Sequence, residues 1–134
     1  MSDAPGPRKR IRTGFAELVG LRYVERSPGY CRFEVDAGER HFNPNGVVHG
    51  ALAFALADTG TGGALHTLLE RSERCATIEV KIAYLKPAAP GLLVCDSRVL
   101  SRDGNLATIE SEVRSGDQVI ARAVAVYAIF PAQR

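Results

Sequence analysis

The chain has 134 residues, of which 46% are hydrophobic and 24% charged, and its formal net charge is +2. This length and composition predict one globular domain with enough chain for a hydrophobic core. The small net charge argues against nucleic acid as a partner, and no apolar run approaches the roughly 18–20 residues that cross a membrane.

Residues 1–12 carry a basic cluster, Arg8, Lys9, Arg10 and Arg12, behind a start that contains proline and glycine. No aromatic residue interrupts the cluster, so we interpret it as a solvated tail rather than an RNA-binding arm. The cluster also occupies the place of the apolar segment of a signal peptide, which predicts a cytoplasmic protein. Residues 13–134 are expected to form the single domain.

The chain contains three cysteines, Cys31, Cys75 and Cys95. Their number is odd, their spacings are wide and no Cys-x-x-Cys pair occurs, so neither a disulfide framework nor a zinc site is indicated. Free thiols, buried in a protein of a reducing cytoplasm, fit this pattern best. We expect neither a bound metal nor a cofactor.

The first predicted elements are a short helical turn and a hairpin. Phe15–Val19 predicts the turn. Residues 21–26 and 30–36 predict two strands, because a Ser-Pro-Gly turn signal separates them and apolar residues alternate along the second. Residues 37–45 are expected to form a polar loop.

A long helix is predicted to begin near Gly50 and to end at about Glu70. Its first two turns, Ala-Leu-Ala-Phe-Ala-Leu-Ala, have no polar face, so we expect the helix to be buried on all sides. Gly60, Gly62 and Gly63 each cost about 1 kcal/mol of helix propensity relative to alanine. Glycines at that cost indicate that another backbone or a ligand passes very close to the helix.

Four strands are predicted in the second half, over residues 75–85, 92–101, 106–114 and 119–130. Turn signals separate them, and the short connections predict an antiparallel meander. Its apolar face needs a cover, and the available cover is the long helix. That face is made of Ala107, Ile109, Val113, Val119, Ala121, Ala123, Ala125, Tyr127 and Ile129, with one switch of face.

The predicted fold class is therefore α+β, in the order β-β-α-β-β-β-β, with a curved antiparallel sheet wrapped around one central helix. Such a sheet has an open edge, and an all-apolar helix leaves surface that one chain does not cover. We therefore predict a dimer that continues the sheet and shares a site across its interface.

The most informative stretch, residues 41–65, contains an Asn-Pro-Asn-Gly turn, the sequence Val-Val-His-Gly and then the apolar helix. Asp58 is a lone carboxylate on that apolar helix, so we expect it to have hydrogen-bond partners or a functional role. The helix start at Gly50 supplies unpaired N–H groups and the positive end of the helix dipole. Asn43, His49, Gly50 and Asp58 therefore form one candidate site.

This pattern, N-x-x-G-x-x-H-G-x(7)-D in Asn43, Gly46, His49, Gly50 and Asp58, resembles the hotdog fold. Within that fold it resembles the PaaI-like acyl-CoA thioesterases, and the likeness extends over roughly residues 12–131, including the strand at 77–87. One position departs from the family, which has two glycines after the histidine where this chain has one glycine and then alanine. Alanine is small and favours helix, so we expect little effect.

The resemblance implies a role for each matching residue. Asp58 would be the catalytic carboxylate, acting as nucleophile or as general base for water. The Gly50 N–H would polarise the thioester carbonyl, and Asn43 of the facing subunit would orient the water or the thioester. His49 would position the thioester, and Thr77 would help to hold the attacking water.

The resemblance also implies the substrate and the assembly. The expected substrate is an aryl- or medium-chain acyl-CoA, whose coenzyme A is part of the substrate rather than a cofactor. The expected assembly is a homotetramer, built as a dimer of dimers. Scattered cations that could contact the CoA phosphates are Arg71, Arg74, Lys81, Lys86 and Arg102.

Each candidate also has a purely structural interpretation. Asp58 could form a pair across a dimer, and Thr77 could be an ordinary strand threonine. His49 could cap the helix, and Asn43 is a common turn residue. The absence of G-x-S-x-G excludes the α/β-hydrolase mechanism.

Two other functions remain open from the sequence. A hydratase or dehydratase of acyl thioesters on the same fold would need a histidine and a carboxylate at the acyl β-carbon, and His41 is the candidate histidine. A non-catalytic acyl-CoA-binding protein is the other, although the presence of Asp58 with Asn43 favours turnover. Apart from that alternative, His41 and His66 are interpreted as surface or loop histidines.

Overall fold

The computed structural model describes residues 14–132. The tail predicted at residues 1–12 lies outside this part of the chain. The elements in chain order are α1 (Phe15–Val19), β1 (Arg22–Ser27), β2 (Tyr30–Ala37), a 3-10 turn (Glu39–His41), α2 (Gly50–His66), β3 (Glu73–Tyr84), β4 (Gly91–Asp103), β5 (Leu106–Ser115) and β6 (Gln118–Pro131).

The strands of residues 14–132 form one six-stranded antiparallel sheet in the order β1-β2-β4-β5-β6-β3. The predicted meander is confirmed for β4, β5 and β6. It is wrong for β3, which pairs with β6 at the far edge of the sheet. The connection between β3 and β4 contains Pro87 and Pro90, which donate no backbone hydrogen bond, so these two strands do not fold back as a hairpin.

Helix α2 begins at Gly50, as predicted, and ends at His66, four residues before the predicted end. The hydroxyl of Thr67 donates to the Ala64 carbonyl at 2.6 Å and accepts the Gly29 N–H at 2.8 Å. This side chain takes over a carbonyl that the next helical turn would have used, and it anchors the helix end to the β1–β2 turn.

The expectation that α2 is buried on all sides is wrong for a single chain. The sheet contacts only one side of the helix, where Leu56 and Leu65 are fully buried. On the other side Ala51 and His66 are exposed, Phe54 keeps 38% of its surface in solvent and Asp58 is half-buried. An apolar stripe on a helix is therefore left without a cover by the chain itself.

The residues on the inner face of the sheet agree with the sequence prediction. The predicted change in the alternation of inward and outward residues occurs at a bulge. The register of β5 and β6 shifts between Val113 and Arg114, so the inward face of β6 includes two successive buried residues, Ile120 and Ala121. Val119, placed on that face by the sequence, is only half-buried. The other predicted members are buried: Ala107, Ile109, Val113, Ala121, Ala123, Ala125, Tyr127 and Ile129.

The helix glycines lie against side chains of the sheet. A Cβ at Gly60 would lie 2.6 Å from Ser97 Oγ, and one at Gly63 would lie 2.9 Å from Cys31 Sγ. Both distances are shorter than real Cβ contacts allow. The close neighbours of the helix are thus side chains on the inner face of the sheet rather than the backbone or ligand expected from the sequence, and close packing offsets the cost in helix propensity.

Gly60→Ala is expected to lower the free energy of unfolding by about 1–3 kcal/mol, as overpacking of a core does. The gain in helix propensity, about 1 kcal/mol, is too small to offset the clash. Ser97 Oγ cannot move away freely, because it bonds Ser111 Oγ at 2.5 Å inside the protein. Urea unfolding at fixed protein concentration measures the change.

The matched control for this prediction is Gly38→Ala, because no atom lies within 4 Å of a Cβ there and the backbone φ is −150°. It is expected to change stability little. In a Ser97→Ala background the loss caused by Gly60→Ala should shrink or reverse. An equal loss with and without Ser97 would show that the Ser97 hydroxyl is not the obstacle.

Cys31 and Cys95 are buried, and Cys75 is half-buried. Burial raises the pKa of Cys95 to about 11, so this thiol stays protonated. Within residues 14–132, no helix has the length and apolar character needed to cross a membrane.

Candidate active site

Asp58 lies in the middle of α2 and faces β3 and β6. Its Oδ1 accepts the hydroxyl of Thr77 at 3.0 Å, and the Tyr127 hydroxyl lies 3.4 Å from the same oxygen. Asp58 and Thr77, both candidates from the sequence, are therefore in contact. The carboxylate is half-buried and held on one oxygen, which leaves the other oxygen available for a reaction.

Tyr127 is a member of this group that the sequence did not reveal. Its hydroxyl donates to the Asp58 backbone carbonyl at 2.8 Å and lies 2.9 Å from Thr61 Oγ1. Burial raises the pKa of Tyr127, so the phenol remains a donor. The sequence pattern predicts Tyr127 only as one more inward-facing residue of an apolar strand. The one signal that could have identified it is a hydroxyl group among alanines and valines.

His49 and Gly50 form the start of α2. His49 is the N-cap, and its Nδ1 accepts the Ala51 N–H at 2.9 Å, so the capping interpretation of this histidine is confirmed. The Gly50 N–H donates to no acceptor among residues 14–132. Gly50 lines a cavity of about 360 Å³ together with Tyr84 and Lys86. A donor without a partner at the positive end of a helix is suited to an oxygen that gains negative charge.

Asn43 lies in the turn before the helix, and its side chain holds that turn together. Its Oδ1 accepts the N–H of Asn45 at 2.9 Å, and its backbone carbonyl accepts the N–H of Gly46 at 2.9 Å. Gly46 has φ +78°, a conformation that favours glycine, so this part of the motif has a structural cause. The turn uses the Asn43 oxygen and leaves its NH₂ group as a donor.

One chain brings the candidate residues together in two groups rather than one. Asp58, Thr77 and Tyr127 form the first group, and Asn43, His49 and Gly50 form the second. Eight residues of helix separate Gly50 from Asp58, which is about 12 Å along the axis. A single small group cannot contact both the Gly50 N–H and the Asp58 carboxylate of the same chain.

His41 is not the surface or loop histidine that the sequence suggested. It is 9% exposed, its Nε2 donates to the Val19 carbonyl at 2.7 Å and its Nδ1 accepts the Gly38 N–H at 3.1 Å. Both ring nitrogens therefore have structural partners, and they fix the tautomer. His66 is exposed, as predicted.

A second cavity, of about 390 Å³, lies beside the first group. Thr77 and Tyr127 form part of its wall. Among the cations considered for the CoA phosphates, Arg102 forms an ion pair with Glu73 at 2.6 Å. No group of three or more His, Cys, Asp or Glu side chains within residues 14–132 is arranged to hold a metal ion.

Comparison with known proteins gives a consistent result. The family model described as the thioesterase superfamily matches residues 45–121. A Halobacterium salinarum protein described as a candidate esterase is 30% identical over 105 residues, which are 75% of this chain and 69% of that protein.

Two solved structures with the same fold are at least 25% identical in sequence to this chain. A conserved protein of Pseudomonas aeruginosa is 30% identical with a TM-score of 0.84, over 88% of this chain and 94% of the other. A phenylacetic acid degradation-related protein of Ralstonia eutropha JMP134 is 25% identical with a TM-score of 0.78, over 84% and 87%. The hotdog architecture predicted from the sequence is confirmed.

Proposed function

The chain belongs to the thioesterase superfamily, and we propose that it hydrolyses the thioester of an aryl- or medium-chain acyl-CoA to the free acid and coenzyme A. The observation that carries the proposal is that α2 presents two groups: a half-buried Asp58 carboxylate that accepts a hydroxyl, and an N–H at Gly50 that has no acceptor within residues 14–132. Thioester hydrolysis needs a carboxylate that attacks or activates water, and an N–H donor that stabilises the negative charge on the thioester oxygen. The reaction uses no cofactor or metal, since CoA belongs to the substrate.

The chemistry assigned to these residues has two steps. The Gly50 N–H binds the thioester oxygen and stabilises its charge when the carbonyl carbon is attacked. Asp58 either attacks that carbon itself or takes the proton of an attacking water molecule. The C–S bond then breaks, and the sulfur leaves as a thiolate that needs little help from an acid. When water is the attacking group this releases the free acid directly; when Asp58 attacks, water then hydrolyses the acyl–Asp58 anhydride, which releases the acid and restores the carboxylate.

We propose further that the two groups of residues meet across a dimer, so that Asp58 of one subunit faces Gly50 and Asn43 of the other. Two features support this. One chain keeps Gly50 and Asp58 about 12 Å apart, and it leaves the α2 stripe and the β3 edge uncovered, where Ile78 is 57% exposed. A dimer of dimers in the cytoplasm remains our expectation for the assembly and its location.

The alternative functions have weaker support. In a hydratase, His41 would have to act on the acyl chain, but both its nitrogens already have protein partners. Release of CoA from a panel of aryl- and fatty-acyl-CoAs, followed with a thiol reagent, tests the proposal. No release from any of them would contradict it, and enoyl-CoA hydration and acyl-CoA binding would then be measured.

Thr77→Val is expected to lower kcat/KM for CoA release about tenfold. Valine keeps the shape of threonine and removes the O–H that donates to Asp58 at 3.0 Å, so the carboxylate loses its orientation. Thr77→Ser keeps the donor and should stay close to wild type. The position is exposed, so both variants should fold. Equal activity of the two variants would show that the Thr77 hydroxyl does not contribute to catalysis.

A further inference from the structure

The cavity of about 390 Å³ beside Asp58 has a definite chemical character. Its near end is formed by Thr77 and Tyr127, the two residues whose hydroxyls approach the Asp58 carboxylate. If the proposed function is right, the thioester carbonyl sits at Asp58 and the acyl group extends into this cavity. The lining then selects the acyl group.

A bulge in β1 turns two side chains into the cavity. The β1–β2 register pairs Tyr23 with Phe33 and Arg26 with Cys31, and it shifts between Tyr23 and Glu25. Cross-strand partners project to the same face. Phe33 and Cys31 face the helix, because a Cβ at Gly63 would touch both of them. Tyr23 and Arg26, three residues apart, therefore lie on the helix-facing side of β1, where both line the cavity and both are exposed to solvent.

Arg26 has no carboxylate partner among residues 14–132, although the outward-facing Arg22 and Arg32 both do. Its charge also acts inside the cavity: burial raises the pKa of the Cys31 thiol, and the nearby Arg26 guanidinium partly opposes this. A guanidinium in a pocket with no protein anion offers a fork of donors to an anion that arrives with a ligand.

The wall of the cavity is partly aromatic. Tyr23 and Phe33 are in edge-to-face contact, with ring centroids 5.9 Å apart and planes at 73°. Tyr127 lines the cavity, and Gly62 and Gly63 present bare backbone to it. Aromatic side chains in a cavity wall pack well against an aromatic ring of a ligand.

We propose that the acyl group of the substrate is an aromatic ring with a carboxylate at the end far from the thioester, and that Arg26 binds this carboxylate. The substrate is then the mono-CoA thioester of an aromatic dicarboxylic acid. The ring lies against Tyr23, Phe33 and Tyr127, and the guanidinium and carboxylate form paired N–H···O bonds. This inference rests on the proposed function and names its substrate class.

The test compares 4-carboxybenzoyl-CoA with 4-methylbenzoyl-CoA, which differ in the group that would face Arg26. Wild-type kcat/KM is expected to be about tenfold or more higher for the carboxylated thioester, the size of a charge-assisted hydrogen bond. Arg26→Gln should abolish this preference by lowering kcat/KM for 4-carboxybenzoyl-CoA to about the value for 4-methylbenzoyl-CoA. Arg22→Gln, on the same strand but facing outward, should keep the preference.

The outcomes separate the inference from the function it rests on. Hydrolysis of both thioesters without a preference, or a preference that survives in Arg26→Gln, would overturn the role of Arg26 while the thioesterase function stands. Self-association of Arg26→Gln with unchanged selectivity would show instead that the inward charge protects an edge strand. No CoA release from either thioester or from fatty-acyl-CoAs would overturn both.

Discussion

Asp58→Asn is expected to lower kcat for CoA release from acyl-CoA by about a hundredfold or more, the size of a lost catalytic acid or base. An asparagine amide has the shape of the carboxylate but can neither attack a carbonyl carbon nor take a proton from water. The fold should be retained, because the residue is only half-buried. The hydroxyl of Thr77, which donates to Asp58 Oδ1, can donate to the amide oxygen in the same way.

The matched control is Asp117→Asn, which removes the same charge in the exposed turn between β5 and β6. It should be as active as wild type. Both variants are assayed on the thioester that the wild type hydrolyses fastest, after their unfolding midpoints are shown to agree. Full activity of Asp58→Asn would exclude Asp58 from the chemistry and contradict the mechanism.

Gly50→Pro is expected to lower kcat by about 10²–10³, the effect of removing one oxyanion donor. Proline has no N–H, yet it is well accepted at the first position of a helix. The preceding residue, His49, already has φ −68° and ψ 136°, the extended conformation that a following proline requires. The substitution therefore removes the donor and should leave the helix in place.

Gly50→Ala separates loss of the donor from steric effects. A Cβ at this position would lie 3.1 Å from the Tyr84 ring, so alanine tests crowding while it keeps the N–H. It should lose much less activity than proline. Refolding Gly50→Pro together with Asp58→Asn should restore activity, because one site of the mixed dimer then has both groups intact. No restoration would contradict a site shared between subunits.

The sequence was most informative where side-chain period and turn chemistry agree. The alternation of apolar residues in β2 and the turn signals between strands predicted element bounds to within about two residues at most ends. The end of α2 was missed, because the hydroxyl of Thr67 ends the helix by bonding Ala64 and Gly29. That bond depends on a residue 38 positions away, which no local pattern contains.

The candidate site likewise contains residues that a local pattern indicates and residues that only the folded structure brings together. Asp58, Gly50 and Asn43 were proposed from the sequence because each residue type has a chemistry at that spacing on one segment. Tyr127 and Arg26 were not among those candidates, since each lies on a distant strand and enters the proposals only by lining the same cavity as Thr77. A strand tyrosine among alanines and an arginine on an edge strand are common in proteins of any function.

The sequence by itself determined the elements and the sheet-wrapped helix, and it supplied the candidates for thioester chemistry, because those depend on local period, turn residues and residue type. The tertiary structure decided which of them meet. It placed β3 beside β6, which brings Thr77 to Asp58. It also kept Gly50 about half the length of α2 away from Asp58, and through a bulge it placed Arg26 on the helix-facing side of β1. Contacts of this kind are set by strand order and register, which arise from packing between distant segments.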